Sequence, residues 1–220
     1  MLSNTGNLLL LINISLSIFL IYSSFESLKK NNNLISKKIY NTCIIQSTLI
    51  IICFFTLIAG FLISDFSLIT VYQNSHTLKP VFYKITGTWG NHEGSLLLWV
   101  IILTLFSFLF FIYNKNHPKK YRLYVLIFQN ILIIGFLFFL LLNSNPFSVI
   151  LPTPKEGLGL NPILQDPALA IHPPLLYIGF VGSSIYFSAA IASLLTGYSG
   201  KLFAQSIKSW VLLSWSFQTL

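Results

Sequence analysis

Long apolar runs alternate with short polar stretches along this chain. Most of the runs approach the ~20 residues that an α-helix needs to cross a ~30 Å hydrocarbon core. The runs lie at about residues 8–22, 44–64, 95–113, 123–142 and 174–195. A sixth run begins near Trp210 and is cut off at Leu220. The pattern predicts an all-α, polytopic membrane helix bundle with five spans and the start of a sixth, forming a single membrane domain over residues 1–220.

The first run is the weakest of these predictions, because it is short and contains Asn13, Ser15 and Ser17. Its length also suits the apolar core of a secretory signal. However, residues 1–7 carry no lysine or arginine, and no small-x-small cleavage pattern precedes Ser27. We therefore expect an uncleaved first helix.

The composition supports a membrane protein. The chain is 55% hydrophobic and 8% charged, with a mean hydropathy of +0.77, whereas soluble domains average about a quarter charged residues. Ten of its 13 lysines and arginines follow the first, third and fifth runs. They are Lys29, Lys30, Lys37, Lys38, Lys115, Lys119, Lys120, Arg122, Lys201 and Lys208. By the positive-inside rule, the N-terminus and two long loops, at about 66–94 and 143–173, lie on the outer face. The net charge of +8 thus indicates a lipid membrane and no nucleic-acid partner.

Several kinds of chemistry lack support in the sequence. Cys43 and Cys53 lie ten positions apart in one run, or ~15 Å along a helix, which is too far for a disulfide. No Cys-x-x-Cys-His occurs, so the chain does not itself carry covalent haem. It also has no paired carboxylates, no nucleophile with an adjacent base and no phosphate-binding loop, so hydrolysis and phosphoryl transfer are not indicated.

Two histidine motifs stand at the start of apolar runs on the predicted outer face. In the second, Pro173 and Pro174 suit the opening turn of a helix, and a residue before proline disfavours helical geometry. We therefore expect His172 to be extended, with its ring projecting from the helix start. A neutral imidazole there is a good axial donor to haem iron, although the spacing alone favours an interfacial histidine that caps the helix. Asp166 is close enough in sequence to orient the ring.

The first motif places His92 and Glu93 in the first turn of the third run. A carboxylate there gains ~0.3–1 kcal/mol from the helix dipole, so Glu93 suits a structural cap as well as a functional role. Gly90 and Gly94 permit close approach of a helix or a flat ligand. Two other histidines, His76 and His117, are interpreted as solvated.

The tryptophans of the first motif have simpler interpretations. Trp89 suits an anchor at the membrane interface. For Trp99, inside the span, the position favours packing over ligand contact.

Both motifs resemble those of the CcmF family of cytochrome c-type biogenesis proteins, the large haem-lyase subunit. The resemblance runs over nearly the whole chain. Its most specific blocks are Trp89-Gly90-x-His92-Glu93-Gly94-Ser95-Leu96-Leu97-Leu98-Trp99, Gln165-Asp166-Pro167 and His172-Pro173-Pro174-Leu175-Leu176-Tyr177.

The resemblance implies a haem-handling assembly factor. Such a protein accepts b-type haem from a CcmE-like chaperone and helps attach it to the Cys-x-x-Cys-His site of apocytochrome c on the outer side of the membrane. It works beside a CcmH-like thiol-reducing subunit. The resemblance makes His172 one axial ligand of the delivered haem iron. It places the first motif, with Asp166, the two prolines and Tyr177, near the haem surface.

The family's tryptophan-rich motif and further histidines should follow Trp210, so the chain by itself is expected to be an incomplete haem lyase that needs a C-terminal remainder. It is expected to be either a natural piece of a split protein or a partial sequence. An Asn- and Lys-rich composition suggests the mitochondrial inner membrane, with a bacterial plasma membrane as the alternative. Two other functions stay open: a haem transporter, or a structural subunit of a respiratory complex.

Overall fold

The protein is a bundle of long helices in a computed structural model that describes residues 1–30 and 34–220. The long helices are α1 (Leu2–Lys29), α2 (Lys37–Ile63), α5 (His92–Tyr113), α6 (Lys119–Asn143), α7 (Pro167–Gly182), α8 (Ser184–Thr196) and α9 (Gly200–Thr219). The short ones are α3 (Ile69–Asn74), α4 (Val81–Gly87) and a 3-10 turn at Pro162–Gln165. Over these described ranges the extended pairing is a single bridge between Leu68 and Val149. The prediction of an all-α bundle is confirmed.

Five segments are long and apolar enough to cross a membrane, as predicted: α1, α2, α5, α6 and the continuous stretch of α7 and α8. Several boundaries differ from the sequence prediction. The first helix covers Leu2–Lys29 rather than 8–22. The last helix begins at Gly200 instead of near Trp210, because Lys201 and Lys208 interrupt its apolar pattern without interrupting the helix.

Two polar side chains of the first run, Asn13 and Ser17, lie in the interior of the bundle. Gln46 of α2 donates from Nε2 to Ser17 Oγ of α1 at 2.6 Å and to Asn130 Oδ1 of α6 at 3.1 Å. All three residues are buried. Hydrogen bonds between helices stabilise the bundle in an apolar medium, because no water is available there to bond the polar groups. Ser17, one of the polar residues that weakened the prediction for α1, thus links this helix to α2.

The connections between helices gather at two ends of the bundle. At one end Lys119 Nζ donates to the Lys30 carbonyl at 3.4 Å, which brings together two of the lysine-bearing connections. We call this the basic end, made of residues 29–30, 113–120 and 196–201. At the other, the motif end, Ser3 Oγ donates to the Phe147 carbonyl at 2.7 Å. The two long loops and both histidine motifs lie at the motif end, as the charge pattern predicted.

The two long loops are folded onto each other. The first contains the short helices α3 and α4. Ile69 N donates to the Ser148 carbonyl and Ile150 N to the Ser67 carbonyl, both at 2.9 Å, which forms the bridge beside Leu68. Phe147 is fully buried against α1. The loops therefore make a lid over the motif end of the bundle.

Candidate functional site

The helix that carries His172 begins earlier than the sequence predicted. Asp166 is its N-cap, and one carboxylate oxygen accepts from Ala168 N at 2.8 Å and from Leu169 N at 3.0 Å. His172 therefore lies in the second turn of α7, and the expectation of an extended His172 was wrong. Asp166 uses its carboxylate to cap the helix rather than to orient the imidazole.

A contact from the first motif explains how two prolines fit inside α7. Because Pro173 and Pro174 lack N–H groups, the carbonyls of Leu169 and Ala170 lose their usual partners four residues ahead. The indole Nε1 of Trp89 donates to the Ala170 carbonyl at 2.8 Å. Ala170 is buried, so that oxygen would otherwise have no water to bind. The two motifs, 81 residues apart, are thus joined at one hydrogen bond.

His172 stands on an exposed apolar stripe of α7. Leu169 and Leu176, three residues before and four after it, share its helix face and are 44% and 36% exposed. The imidazole is itself exposed, and within the described part of the chain it takes no hydrogen bond. A ring nitrogen on an apolar surface suits a flat, apolar ligand that carries a metal ion.

His172 is the single ionisable donor of this stripe. Over the described residues, no group of three or more His, Cys, Asp or Glu side chains could enclose a metal ion. The arrangement therefore suits one axial bond to a metal that arrives already held by another ligand, as in a metalloporphyrin, and not a bare metal ion.

The first motif is built around a residue that the sequence interpretation passed over, Asn91. Asn91 is the N-cap of α5 and accepts from Gly94 N at 2.7 Å. Its amide donates to the Gly87 and Thr88 carbonyls at 2.7 and 3.1 Å. The missed signal was an asparagine directly before an apolar run, which is a preferred N-cap. Asn91 thereby fixes the turn between α4 and α5.

The two glycines of the motif serve this turn rather than a partner helix. A Cβ added to Gly94 would overlap the carbonyl oxygen of Thr88. A Cβ added to Gly90 would stand 3.3 Å from the Thr86 carbonyl oxygen and 3.5 Å from Leu164. The group that Gly94 approaches is therefore the backbone of the preceding turn and not a partner helix.

His92 and Glu93 occupy the first turn of α5, as predicted. His92 Nε2 lies 3.0 Å from Ser144 Oγ, so the imidazole connects the start of α5 with the residue after α6. Ser95 Oγ donates to the His92 carbonyl at 2.9 Å. Asn91 and not Glu93 provides the side-chain cap, which leaves the half-buried Glu93 carboxylate with only the electrostatic benefit of the helix start.

Trp99 packs between helices, in agreement with the favoured interpretation. Its ring lies 5.3 Å from Phe136 of α6 and 5.7 Å and 5.5 Å from Tyr177 and Phe180 of α7, measured between centroids. Aromatic clusters of this kind add to the apolar contact area that holds helices together. Tyr177 therefore faces the bundle through Trp99 and supports the helix that presents His172.

Electrostatics in the lid depend on one carboxylate and one lysine. Glu156 accepts from the Thr77 hydroxyl at 2.5 Å and from Thr77 N at 3.0 Å, and these bonds lower its pKa to about 2. His76 lies 3.9 Å from the same carboxylate. Lys79 Nζ donates to the Asn74 carbonyl at the end of α3, and burial followed by repulsion from Lys84 lowers its pKa to about 8. These groups fasten the lid.

The structure shows that His76 is only partly exposed and that His117 is hydrogen-bonded, whereas both were interpreted as solvated. His76 is partly exposed but lies beside Glu156, as described. His117, at the basic end, is hydrogen-bonded through Nδ1 to the Tyr198 hydroxyl at 2.8 Å. Burial, with a smaller effect from Arg122, lowers the pKa of His117. Cys43 and Cys53 are free and buried, as predicted.

Comparison with known proteins agrees with the motifs. Residues 89–220 match the family described as "Cytochrome C assembly protein". The chain is 46% identical over 179 residues to the cytochrome c-type biogenesis protein CycK of Rhizobium meliloti, covering 81% of this chain and 26% of that protein. It is also 46% identical over 168 residues to CcmF of Escherichia coli K12, covering 76% of this chain and 26% of that protein. The chain thus spans about a quarter of the length of these bacterial relatives.

The fold has a counterpart among solved structures. A structure titled "Cytochrome c Heme Lyase CcmF" superposes with a TM-score of 0.83 at 23% identity, over 99% of this chain and 34% of that one. At this identity the likeness concerns the fold alone. The family match covers more than half of the chain and includes both histidine motifs. This multi-pass membrane protein therefore belongs to the cytochrome c assembly family.

Proposed function

We propose that this protein takes part in cytochrome c biogenesis by gripping haem, as a substrate in transit, at the motif end of its bundle. His172 donates one axial bond to the haem iron, and the stripe formed by Leu169 and Leu176 lies along the porphyrin. Attachment to the Cys-x-x-Cys-His site of apocytochrome c follows on the outer side of the membrane. The observation that carries the proposal is an exposed imidazole on an apolar helix face.

The local chemistry supports this role. An imidazole that takes no hydrogen bond in the described part of the chain keeps a lone pair for iron. The Trp89 bond to Ala170 and the Asp166 cap stabilise the two turns that present His172. Apolar side chains on both sides favour a porphyrin face over water. The protein positions the haem and supplies one axial ligand to the iron, and the haem supplies the iron and the vinyl groups.

The proposal includes partners and a place in the cell. His172 binds one side of the iron, so the haem-lyase role requires a second axial ligand from a C-terminal remainder. A CcmE-like haem chaperone and a CcmH-like thiol-reducing subunit complete the reaction. We place the protein in the mitochondrial inner membrane, with the motif end toward the intermembrane space. The bacterial plasma membrane is the alternative, and the bacterial relatives fit it.

A haem ligand is tested by spectroscopy on the complex purified with its native partners. We expect His172→Ala to lose the Soret band of bound haem, and His172→Gly to regain it when imidazole is added. His76→Ala is the matched control, since His76 lies in the lid and beside Glu156. An unchanged Soret band in His172→Ala, or equal losses in both variants, would contradict the proposed ligand.

A transporter role predicts a polar path through the bundle. The buried amides of Gln46 and Gln129 instead bond to neighbouring helices. This pairing supports a packing role. Haem flux into proteoliposomes that contain the purified complex separates the two functions, because an assembly factor that works at one face gives no flux above that of empty liposomes.

A further inference from the structure

The basic end of the bundle contains a cavity that the proposed haem function does not use. It has a volume of about 1110 Å³ and lies where the ends of α1 and α6 meet the connection from α8 to α9. Its volume is slightly above the roughly 300–1000 Å³ typical of pockets that hold small molecules. The motif end, with His172, is at the opposite end of the helices.

Four lysines line this cavity: Lys29 and Lys30 from the end of α1, and Lys119 and Lys120 from the start of α6. No acidic residue of the described chain is among the lining residues. The nearby carboxylate of Glu26 is engaged by Lys30 Nζ at 2.6 Å. The concentration of positive charge in a concave site favours an anion there.

The wall beside the lysines is aromatic and hydrogen-bonded. His117 and Tyr198 both line the cavity and bond to each other at 2.8 Å. The Tyr198 ring also lies 4.8 Å from that of Tyr121. This packing gives the cavity a fixed wall, in contrast to a set of independent surface lysines.

An apolar groove continues from the cavity along α9. The two share Gln205, and the groove, with a volume of about 420 Å³, is lined by Ile207, Val211 and Leu212 together with Lys201 and Lys208 among others. A cationic cavity at the end of membrane-spanning helices that leads into an apolar groove matches a molecule with an anionic head and an acyl chain. Basic pockets between helices on the inner side of a membrane are known to hold lipid head groups.

We propose that this cavity binds the phosphate head group of an anionic phospholipid, with one acyl chain in the groove along α9. The lysines hold the phosphate, and Leu202 at the cavity rim covers the glycerol. A free phosphate could bind the lysines of the cavity without contacting the groove, so the groove is what favours a lipid. The site is independent of haem.

The test measures the association of spin-labelled phosphatidylglycerol, relative to phosphatidylcholine, with the protein and its native partners in phosphatidylcholine nanodiscs. We expect the double variant Lys119→Gln/Lys120→Gln to weaken the preference about 30-fold, the loss expected for two lysines near a membrane surface. Lys37→Gln/Lys38→Gln is the matched control, since both residues are exposed lysines at the start of α2 that do not line the cavity. The control should change the preference less than about twofold.

A variant of unchanged charge makes the test independent of folding defects in the double variant. Gln205→Trp fills the neck between cavity and groove and should also abolish the preference. Equal losses in the cavity and control variants would overturn the proposal in favour of general surface attraction. Displacement by inorganic phosphate, but not by chloride at equal ionic strength, would overturn the lipid in favour of a free anion. A partner segment crosslinked to Lys120 in place of lipid would overturn it as well.

Discussion

The indole of Trp89 supplies the Ala170 carbonyl with the hydrogen bond that Pro174 cannot give. An interior proline removes one helical hydrogen bond, and here the missing donor comes from a residue 81 positions earlier. The helix that presents His172 is therefore completed by the first motif. This relationship makes the two motifs one structural unit.

Replacement of the indole donor tests that unit. We expect Trp89→Phe to lower the free energy of unfolding by about 1–3 kcal/mol, because the buried Ala170 carbonyl is left without a partner. Pro174→Ala restores an N–H that reaches this carbonyl along the helix. In the Pro174→Ala background, Trp89→Phe should therefore cost clearly less. Unfolding curves of the four proteins of this double-mutant cycle measure the coupling.

Trp99→Phe controls for the loss of tryptophan surface, since Trp99 packs against aromatic rings and its indole donates no hydrogen bond in the described part of the chain. Its cost should be the same in both backgrounds. If Trp89→Phe is equally costly with and without Pro174, the hydrogen bond to Ala170 does not compensate for the proline.

The same contact explains which part of the site the sequence could not predict. The number of spans, the segregation of the lysines and the helical start at His92 all follow from local patterns, and they were predicted. The conformation of His172 depends on Trp89, which no local rule includes. The rule for residues before proline predicted an extended His172, and the Asp166 cap together with the Trp89 bond overrides it.

Close packing of the turn before α5 predicts a strong effect at Gly94. Gly94→Ala should destabilise the protein by about 3 kcal/mol, at the upper end for overpacking, because the new methyl group meets the rigid Thr88 backbone. Gly135→Ala is the matched control: this helical glycine has open space around its Cα, so the change should stabilise by up to about 1 kcal/mol. Chemical unfolding of both variants tests this difference in sign. Similar changes in unfolding free energy for the two variants would show that the Thr88 backbone moves to accommodate the methyl group.

The lid over the motif end should open in acid through Glu156. Its pKa is lowered from 4.5 to about 2 by the bonds from Thr77, so the folded lid favours the carboxylate. This stabilisation is complete above pH 4.5 and is lost as the pH falls toward 2. Hydrogen exchange at the Leu158 and Gly159 amides, which bond to the carbonyls of the first loop, measures the opening.

Glu156→Gln should expose these two amides at neutral pH and remove most of the acid dependence of their exchange. Glu26→Gln is the control, since that carboxylate pairs with Lys30 at the basic end. Acid-dependent exchange that persists unchanged in Glu156→Gln would assign the opening to a different group.

Lys79 should give the protein a second increase of stability with pH, in the alkaline range. Burial, then Lys84, lowers its pKa from 10.5 to about 8, so between these values the unfolded chain binds a proton that the folded chain has released. The unfolding free energy should therefore rise as the pH increases from 8 to 10.5. Lys79→Met should lack this rise, because it has no proton to lose. Lys84→Met should move the rise to higher pH, since it removes the repulsion.

Lys155→Met is the matched control for Lys79, because Lys155 is an exposed lysine of the second loop. It should keep the full rise in stability. The measurement is the unfolding free energy of the four proteins across this pH range at constant ionic strength. An increase in unfolding free energy with pH that persists in Lys79→Met and is lost in Lys155→Met would show that a buried ammonium in the lid is not its source. An increase in unfolding free energy that is lost in Lys79→Met and moves to higher pH in Lys84→Met would establish that the two lysines repel each other within the lid.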